Sequence, residues 1–381
     1  MSVNVFSNVD FEYMQQALDL AEKGRYSTRP NPNVGCVLVN HGKIVGSGWH
    51  QQAGEAHAER HALTQAGELA KGATAYVTLE PCSHFGRTAP CADGLIEGGV
   101  KKVYIAMLDP NPLVSGQGVQ RLEQAGIEVF LGLLANKAHA LNIGFVRRME
   151  QGLPYVVLKM ASSLDGRTAM ANGESQWITG EASRLEVHKL RAISGAIITG
   201  IGTVLADNPS LTVRLLDDGF SVKKIPPPLR VVLDSNLKMP LDAKVLSSEA
   251  PTLVVTTDES YKRQADRVKA LTAQPNVTVL SVAKQVGKGG GVNLHAVLQH
   301  LAHVLHINRV LVEAGATLAG AFVSENRIDE LHSFIAPCLL GNQAKPMFVL
   351  PDVQNMADKI QLQIISIKPF GQDVRVVLNR P

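Results

Sequence analysis

The sequence is short of the features that would take it out of the common run of compact enzymes. It has four cysteines in 381 residues, too few for a disulfide framework, so a reducing compartment is expected, the cytoplasm by default. No run approaches the roughly 20 apolar residues that span a bilayer, and no membrane role is expected. The opening stretch MSVNVFSNVDFEYMQQ lacks a basic start and an apolar core, so no secretory signal is expected. The net charge is only +3, and no long basic tract offers a face for nucleic acid or anionic lipid. In the second half no Gly-x-Gly-x-x-Gly follows a strand, which removes the usual dinucleotide fingerprint. Neither an internal repeat nor a low-complexity tract is present.

What remains is 45% hydrophobic, 19% charged and carries 33 glycines, enough to build two cores. Asp10 followed by FEYMQQALDLAEKG reads as a capped helix with Phe11, Met14, Ala17, Leu18 and Ala21 on one face and Gly24 as its stop. VGCVLVNHGKIVGSGWH reads as a hairpin turning at Asn-His-Gly. Helical and strand patterns then alternate: helix from His57 to about Ala70, strand ATAYVTLEPC, helix GLIEGGV, strand KVYIAMLDPNP, helix GVQRLEQAGI, strand EVFLG, and a helix over 135–150. Gly152 and Pro154 break that helix, so the domains are expected at 1–150 and 151–381. The second half alternates again: strands YVVLKMA, GAIITG, LRVVLD, TLVVTT, VTVLSV, RVLVEAG and ELHSFIAP, with helices at 181–193, 293–306 and 318–324. The stretch IQLQIISIKPFGQDVRVVLN adds paired strands, and GKGGG at 287–291 reads as a flexible loop. Both halves are therefore expected to be α/β.

The chemistry concentrates in HAE at 57–59 and PCSHFGRTAPC at 81–91. A catalytic zinc takes three protein ligands and leaves one position for water. His57, Cys82 and Cys91 supply an imidazole and two thiols, and thiolates favour zinc over magnesium or calcium. Glu59, two residues from His57, is placed to carry a proton without binding the metal. His-x-Glu followed by Pro-Cys is the signature of the zinc nucleobase deaminases, which normally separate the cysteines by two residues, whereas eight intervene here. Two readings follow: a lengthened loop whose Arg87 and Thr88 reach the substrate, or His84 in place of Cys91. Cys91 is favoured because it opens a helix-like segment, CADGLIEGG. A structural zinc site would want four ligands and no Glu59. Cys36 and Cys338 read as core, and His50 and His61 as surface groups or supports of the site. RPNPNVG is a turn in which Asn31 either closes the turn or holds substrate.

In the second half, VEAGATLAGAF runs strand, glycine, small residues, helix. It is either a tight packing turn or a helix start whose N–H groups cradle a pyrophosphate. Lys159 and Asp207 stand out as polar partners for a phosphorylated intermediate, or as surface residues. Trp177 is either core or a stacking surface for a nicotinamide.

Taken together, RPNPNVGCVLV, HAERHAL, TLEPCSHFGRTAPC, KMASSLDGRTAM, SQWITG, ADNPSLTVR, VEAGATLAGAF and DELHSFIAPCLLG resemble the bifunctional deaminase–reductases of riboflavin biosynthesis over nearly the whole chain. The long spacing with GRTAPC is that family's variant, which accounts for the departure above. The resemblance implies a cytidine-deaminase-like α/β/α N-terminal domain with Zn2+ on His57, Cys82 and Cys91 and Glu59 as the proton carrier. It implies a dihydrofolate-reductase-like α/β C-terminal domain using NADPH. The substrate would be a phosphorylated pyrimidine: 2,5-diamino-6-(5-phosphoribosylamino)pyrimidin-4-one is deaminated, and the ribosyl group of the product is then reduced to ribityl. Cofactor contacts would come from Ala161, Trp177, Thr203, Asp207, Ser235 and the run Gly315, Ala316, Thr317, Leu318, Ala319, Gly320 and Ala321. Substrate contacts would come from Asn31, Lys159, Ser175, Arg191, Leu211, Arg214 and Glu313. A homodimer or larger assembly is implied as well. Two other readings stand beside this one: a nucleoside- or tRNA-acting deaminase with an unrelated C-terminal module, disfavoured by the near-neutral charge, and a non-catalytic zinc-binding platform, which would leave Glu59 without a purpose.

Overall fold

The computed structural model describes residues 6–83, 90–214, 219, 222, 225–285 and 291–381. The chain divides into two compact units, Met1–Gly152 and Leu153–Pro381, each with its own sheet. Among the described residues no helix is long and apolar enough to cross a membrane.

The first unit runs α1 (Asn8–Glu22), β1 (Gly35–Asn40), β2 (Lys43–Trp49), α2 (Ala58–Ala66), β3 (Thr74–Val77), α3 (Cys91–Glu97), β4 (Lys102–Ile105), α4 (Gln117–Gln124), β5 (Glu128–Leu131), α5 (Ala135–Leu141) and α6 (Ile143–Gln151). Its sheet has the order β2-β1-β3-β4-β5. The hairpin and β1–β3 pair antiparallel, β3–β4–β5 parallel. The β1–β2 hairpin turns at His41 and Gly42, both at positive φ (48° and 71°), as a two-residue primed turn requires. Strand alternation sorts the faces. Cys36, Leu38, Ala75 and Val77 meet Ala58, Ala62, Leu95 and Leu122 on one side. Val37, Val39 and Tyr76 meet Met14, Ala17, Leu18 and Ala138 on the other. This is the expected α/β/α sandwich.

Helix α2, which carries the first motif, lies on β2 with almost nothing between the backbones. A Cβ added at Gly46 would sit 2.1 Å from the Ala62 carbonyl oxygen, and one at Gly48 would sit 2.5 Å from that of Ala58. The small residues of GSG and of Ala58, Ala62 and Ala66 are what let the helix come this close.

The second unit runs β6 (Tyr155–Ser163), β7 (Arg167–Ala169), α7 (Glu181–Ile193), β8 (Ala196–Gly200), α8 (Ile201–Asp207), β9 (Leu229–Leu233), β10 (Thr252–Thr257), α9 (Asp258–Arg263), α10 (Ala265–Thr272), β11 (Val277–Val282), α11 (Leu294–His303), β12 (Arg309–Glu313), α12 (Ala316–Ser324), β13 (Glu330–Ala336), β14 (Lys345–Pro346), β15 (Gln363–Phe370) and β16 (Asp373–Asn379). Nine strands form one sheet, β11-β10-β9-β8-β12-β6-β13-β16-β15. The strands from β11 to β13 pair in parallel, and β16 and β15 close one edge antiparallel. The apolar runs of the central strands suit a sheet covered on both faces. Helices α11 and α12 pack on one through Leu298, Leu301, Phe322 and Val323, and α8 and α10 on the other through Val204 and Leu271.

Several boundaries differ from the sequence expectation. Asp10 is not the cap of α1: Ser7 is, and Asp10 answers it as the third residue of a capping box, Asp10 Oδ2 accepting the Ser7 N–H at 2.8 Å. The helix ends at Glu22, ahead of Gly24, and Phe11 is 40% exposed. The helix expected over 135–150 is two helices broken at Asn142. Asn142 spends its amide on a distant backbone, accepting the Asn33 N–H at 2.7 Å and donating to the Asn33 carbonyl at 2.9 Å. Helix α11 stops at His303, and α12 begins at Ala316. Helices α8, α9 and α10 and the short β7–β14 pair were not legible, because none carries a long periodic face. Cys36 is core, but Cys338 is half-buried. The GKGGG reading falls on 287–290, outside the described residues, and Gly291 alone.

The α2–β2 contact makes a stability prediction. Gly46→Ala is expected to destabilise the first unit by roughly 1–3 kcal/mol through overpacking, seen as an earlier thermal transition that the second unit does not share.

Candidate active sites

Three elements bring the metal-ligating side chains of the first unit together. His57 precedes the first turn of α2, Cys91 opens α3, and Cys82 lies in the loop after β3. His57 Nδ1 is 3.2 Å from Cys91 Sγ and 3.6 Å from Cys82 Sγ. The three ligand atoms all lie within 4.8 Å of one another, and among the described residues no fourth joins them. Ligands on one tetrahedral zinc, with Zn–S and Zn–N near 2.3 and 2.05 Å, stand roughly 3.5–3.8 Å apart. The donor set and its spacing therefore fit zinc with one position open. The Cys91 backbone N–H donates to Cys82 Sγ at 3.3 Å, and contacts with Cys91 and His57 hold the Cys82 thiol below its ordinary pKa. Cys91, beside that sulfur and buried, is pushed up. A metal bound here would hold both cysteines as thiolates.

Glu59 is the second residue of α2, in its first turn, and is 3% exposed. Burial first, and the nearby Cys82 second, raise its pKa. Its Oε2 is buried with no hydrogen-bond partner among the described residues. An orphaned carboxylate oxygen of this kind is costly and needs a purpose. It faces a cavity of about 510 Å³ lined by Asn31, His50, His57, Glu80, Cys82 and Asn111, among others. His50 is 2% exposed. Its Nδ1 lies 3.2 Å from the Ala56 carbonyl and its Nε2 3.0 Å from Asn31 Nδ2. A carbonyl can only accept, so Nδ1 carries the proton and Nε2 receives the Asn31 amide. Burial holds the His50 pKa down, as suits that neutral ring. His50 is thus a support of the site and holds Asn31 in the cavity wall. His84, Arg87 and Thr88 lie outside the described residues.

The second unit opens a larger cleft, of about 890 Å³, across the carboxyl ends of its parallel strands, where open α/β sheets bind ligands. Its walls include Lys159, Ala161, Ser175, Thr203, Asp207, Ser235 and Glu313, together with Gly315, Ala316, Thr317, Leu318 and Ala321. Gly315 is the N-cap of α12 and supplies no side-chain cap, so the first N–H groups of that helix are free to meet an anion. Lys159 on β6 pairs in register with Glu313 on β12. Arg191 of α7 grips Glu313 through Nε at 2.6 Å and Nη2 at 2.9 Å, and its Nη1 donates to the Thr212 carbonyl at 3.0 Å. Burial pulls the Lys159 pKa down. For Glu313 burial pushes up, but Arg191 outweighs it and the net shift is downward. Ser175 Oγ donates to Asp207 Oδ1 at 3.2 Å.

Not every sequence candidate lines this cleft. Ala319 is fully buried in the core side of α12, and a Cβ at Gly320 would lie 2.0 Å from the Val349 carbonyl oxygen. Both are where helix packing demands small residues. Trp177 is not core: it is 69% exposed, with the Arg184 guanidinium carbon 4.6 Å from its ring centre. Arg191, Leu211 and Arg214, on α7 and the segment after α8, are not among the cleft's lining residues; Arg191 is half-buried, Leu211 buried and Arg214 exposed. Leu211 has φ 50°, rare for a bulky residue. His188, unremarked by any motif, accepts the Arg214 N–H at 3.3 Å, and burial holds it down to about 4. Lys345, Gln285 and Thr168 also line the cleft. Spacing alone could not find them, since each comes from a separate loop or short strand.

Residues 154–376 match the RibD C-terminal domain, and residues 7–107 match the cytidine and deoxycytidylate deaminase zinc-binding region. The riboflavin biosynthesis protein RibD of Escherichia coli (strain K12) is 47% identical over 374 residues, covering 96% of this chain and 98% of that one. The RibD of Haemophilus influenzae is 46% identical over 377 residues, 97% of each chain. Among solved structures, Acinetobacter baumannii RibD (form 1) superposes with a TM-score of 0.89 at 47% identity, covering 98% and 99% of the two chains. The diaminohydroxyphosphoribosylaminopyrimidine deaminase/5-amino-6-(5-phosphoribosylamino)uracil reductase of Thermotoga maritima does so with a TM-score of 0.83 at 32% identity, again covering 98% and 99%. The first unit therefore has the cytidine-deaminase-like α/β/α fold, and the second the dihydrofolate-reductase-like α/β fold of the RibD C-terminal domain.

Two outcomes are expected. Purified protein should carry about one zinc per chain, and Cys91→Ser purified identically should lose it; retention would move the third ligand to another residue. Glu313 titrates below the ordinary 4.5 in the folded chain, so its contribution to stability is complete above the unfolded value and is lost as pH falls through the folded one. Urea unfolding across that acid range should show a shallower slope in Glu313→Gln than in the wild type, an unchanged slope removing Glu313 from the linkage.

Proposed function

The chain belongs to the RibD family, the bifunctional deaminase–reductases of riboflavin biosynthesis, and from that premise we propose how its residues divide the two reactions. Residues 1–150 form the deaminase domain and 151–381 the reductase domain. The match across 154–376 removes the reading with an unrelated C-terminal module. The observation that carries the assignment is the meeting of His57, Cys82 and Cys91 beside the unpartnered Oε2 of Glu59.

In the first domain His57, Cys82 and Cys91 hold zinc, which supplies the Lewis acid that makes water nucleophilic near neutral pH. Glu59 takes the proton from the attacking water at the orphaned oxygen and returns it to the departing amino group, so that water and the ring amine become carbonyl and ammonia. The substrate is 2,5-diamino-6-(5-phosphoribosylamino)pyrimidin-4-one, held in part by Asn31, whose orientation His50 sets. The closed surroundings of Glu59 keep bulk water from competing for that proton.

In the second domain the cleft would hold NADPH, which would supply a hydride when bound. The N–H groups at the start of α12, from Gly315 to Thr317, would receive its pyrophosphate, with Ala161, Thr203, Asp207 and Ser235 of the same cleft and the exposed Trp177 as further contacts. Reducing a ribosyl to a ribityl group adds a hydride at the anomeric carbon and a proton at the former ring oxygen. Lys159 and Glu313, side by side on adjacent strands, place a proton-bearing group in the wall of that cleft. Ser175, Arg191, Leu211 and Arg214 complete the substrate side; the Arg214 fork suits a phosphate. The enzyme is placed in the cytoplasm as a homodimer or larger, acting on a small phosphorylated pyrimidine and on no nucleic acid; the near-neutral charge supports the last point.

Glu59→Gln should keep its zinc and lose ammonia release by about 100-fold or more, while NADPH oxidation with supplied deaminated substrate stays at the wild-type rate. A Lys159→Ala, Asp207→Ala double variant should lose NADPH oxidation yet still release ammonia; unchanged NADPH oxidation would remove both residues from the site.

A further inference from the structure

Glu80 is a buried acid that the deamination as described does not use. It ends the strand region two residues before Cys82, is 5% exposed, and lines the cavity beside Glu59. A carboxylate taken out of water is destabilising unless its lone pairs are filled. Here four backbone N–H groups fill them. Asp109 and Gly116 donate to Oε2 at 3.1 and 3.0 Å, and Gly118 and Val119 donate to Oε1 at 2.8 and 3.2 Å. All four belong to one segment, the loop after β4 and the first turn of α4. The N-cap of α4 is Gly116, which has no side chain to offer, so Glu80 caps that helix from 36 residues away and meets the positive end of its dipole. Gly118 makes room: a Cβ there would lie 2.1 Å from the Pro81 carbonyl oxygen and 3.1 Å from Glu80 Oε1.

The segment so held is also a wall of the deaminase cavity, to which it contributes Asp109, Asn111 and Val114. Its interior is tied to itself: Asp109 Oδ1 accepts the Asn111 N–H at 2.8 Å, and Asn111 Oδ1 accepts the Leu113 N–H at 3.1 Å. These bonds tie its interior into one hydrogen-bonded piece, and Glu80 grips that piece at its entry and its exit. The zinc ligands and Glu59 come from other elements. We propose that Glu80 is a positioning residue for the deamination, fixing the 109–119 segment as the wall against which the pyrimidine substrate is held. The proposal rests on the deaminase reading above. Loosening that wall weakens substrate binding and leaves the proton transfer intact, so the effect falls on KM and not on kcat.

The test uses the full chain. Glu80→Gln keeps the shape but sets an amide NH2 against two N–H donors; Gly118→Ala leaves the carboxylate and pushes the segment away from it. Zinc content, kcat and KM for ammonia release, and NADPH oxidation with deaminated substrate are measured for both. The expected result is a deaminase KM raised about tenfold or more in each variant, kcat within about threefold of wild type, and zinc and reductase kinetics unchanged. A zinc-replete Glu80→Gln with wild-type KM overturns the proposal. So does a fall in kcat at constant KM, or loss of zinc, either of which would mean that Glu80 acts through Cys82. If Glu80→Gln does not fold, Gly118→Ala decides by the same criterion. Failure of the deaminase reading looks different, since the wild type itself would release no ammonia.

Discussion

The metal site depends on one close contact, that of α2 with β2. Two glycines on the strand and a row of alanines on the helix let the two backbones come into close contact. That contact decides how far the start of α2 reaches toward the loop after β3 and toward α3. His57 and Glu59 ride on it, and a shift of an ångström would separate the histidine from Cys82 and Cys91. Catalytic constellations tolerate little looseness, and here the tolerance is set by van der Waals contact, which yields less readily than a hydrogen bond. The alternating faces of β1 and β3 then bury both sides of the sheet and hold the platform level.

Both units solve the same electrostatic problem in the same way. Each carries carboxylates too buried to be solvated, and each gives them to backbone N–H groups or to a guanidinium far away in sequence. Glu80 caps α4. In the second unit Asp373 of β16 accepts the Gly180 N–H at 2.7 Å and the Ser183 hydroxyl at 2.6 Å, and so caps α7, whose own N-cap glycine cannot. Helix α7 then carries Arg191 to Glu313 and His188 to the Arg214 backbone. Helix α7 thus links an antiparallel strand of the sheet, through Asp373, to the wall of the cleft, through Glu313. Such networks are stabilising only when complete, which is why one missing partner is felt at a distance.

The two sites ask for different surroundings and receive them. Deamination needs a small, dry cavity in which one carboxylate oxygen is left for a proton, and the first unit encloses about 510 Å³ around it. Hydride transfer needs room for a dinucleotide and a sugar together, and the carboxyl ends of a parallel sheet open a cleft of about 890 Å³. The product of the first reaction is the substrate of the second. Joining the two domains in one chain raises the effective concentration of each site near the other, without any contact between them being required.

By itself the sequence determined the two α/β units, the break near residue 150, most strands and the long helices, because hydrophobic period and turn residues are local signals. It also singled out His57, Cys82 and Cys91 as candidate ligands, which the fold brings within 4.8 Å of one another. It did not reveal the break at Asn142, the remote partners Glu80 and Asp373, or the supporting His188, and it left His50 between a surface group and a support of the site. It placed Ala319 and Gly320 with the cofactor run, where the fold uses them to pack α12. Each of these is a partnership between residues tens to hundreds of positions apart. A side chain's hydrogen-bond partner is chosen by where the backbone returns, and only the assembled tertiary structure brings the buried donor and acceptor within reach of one another.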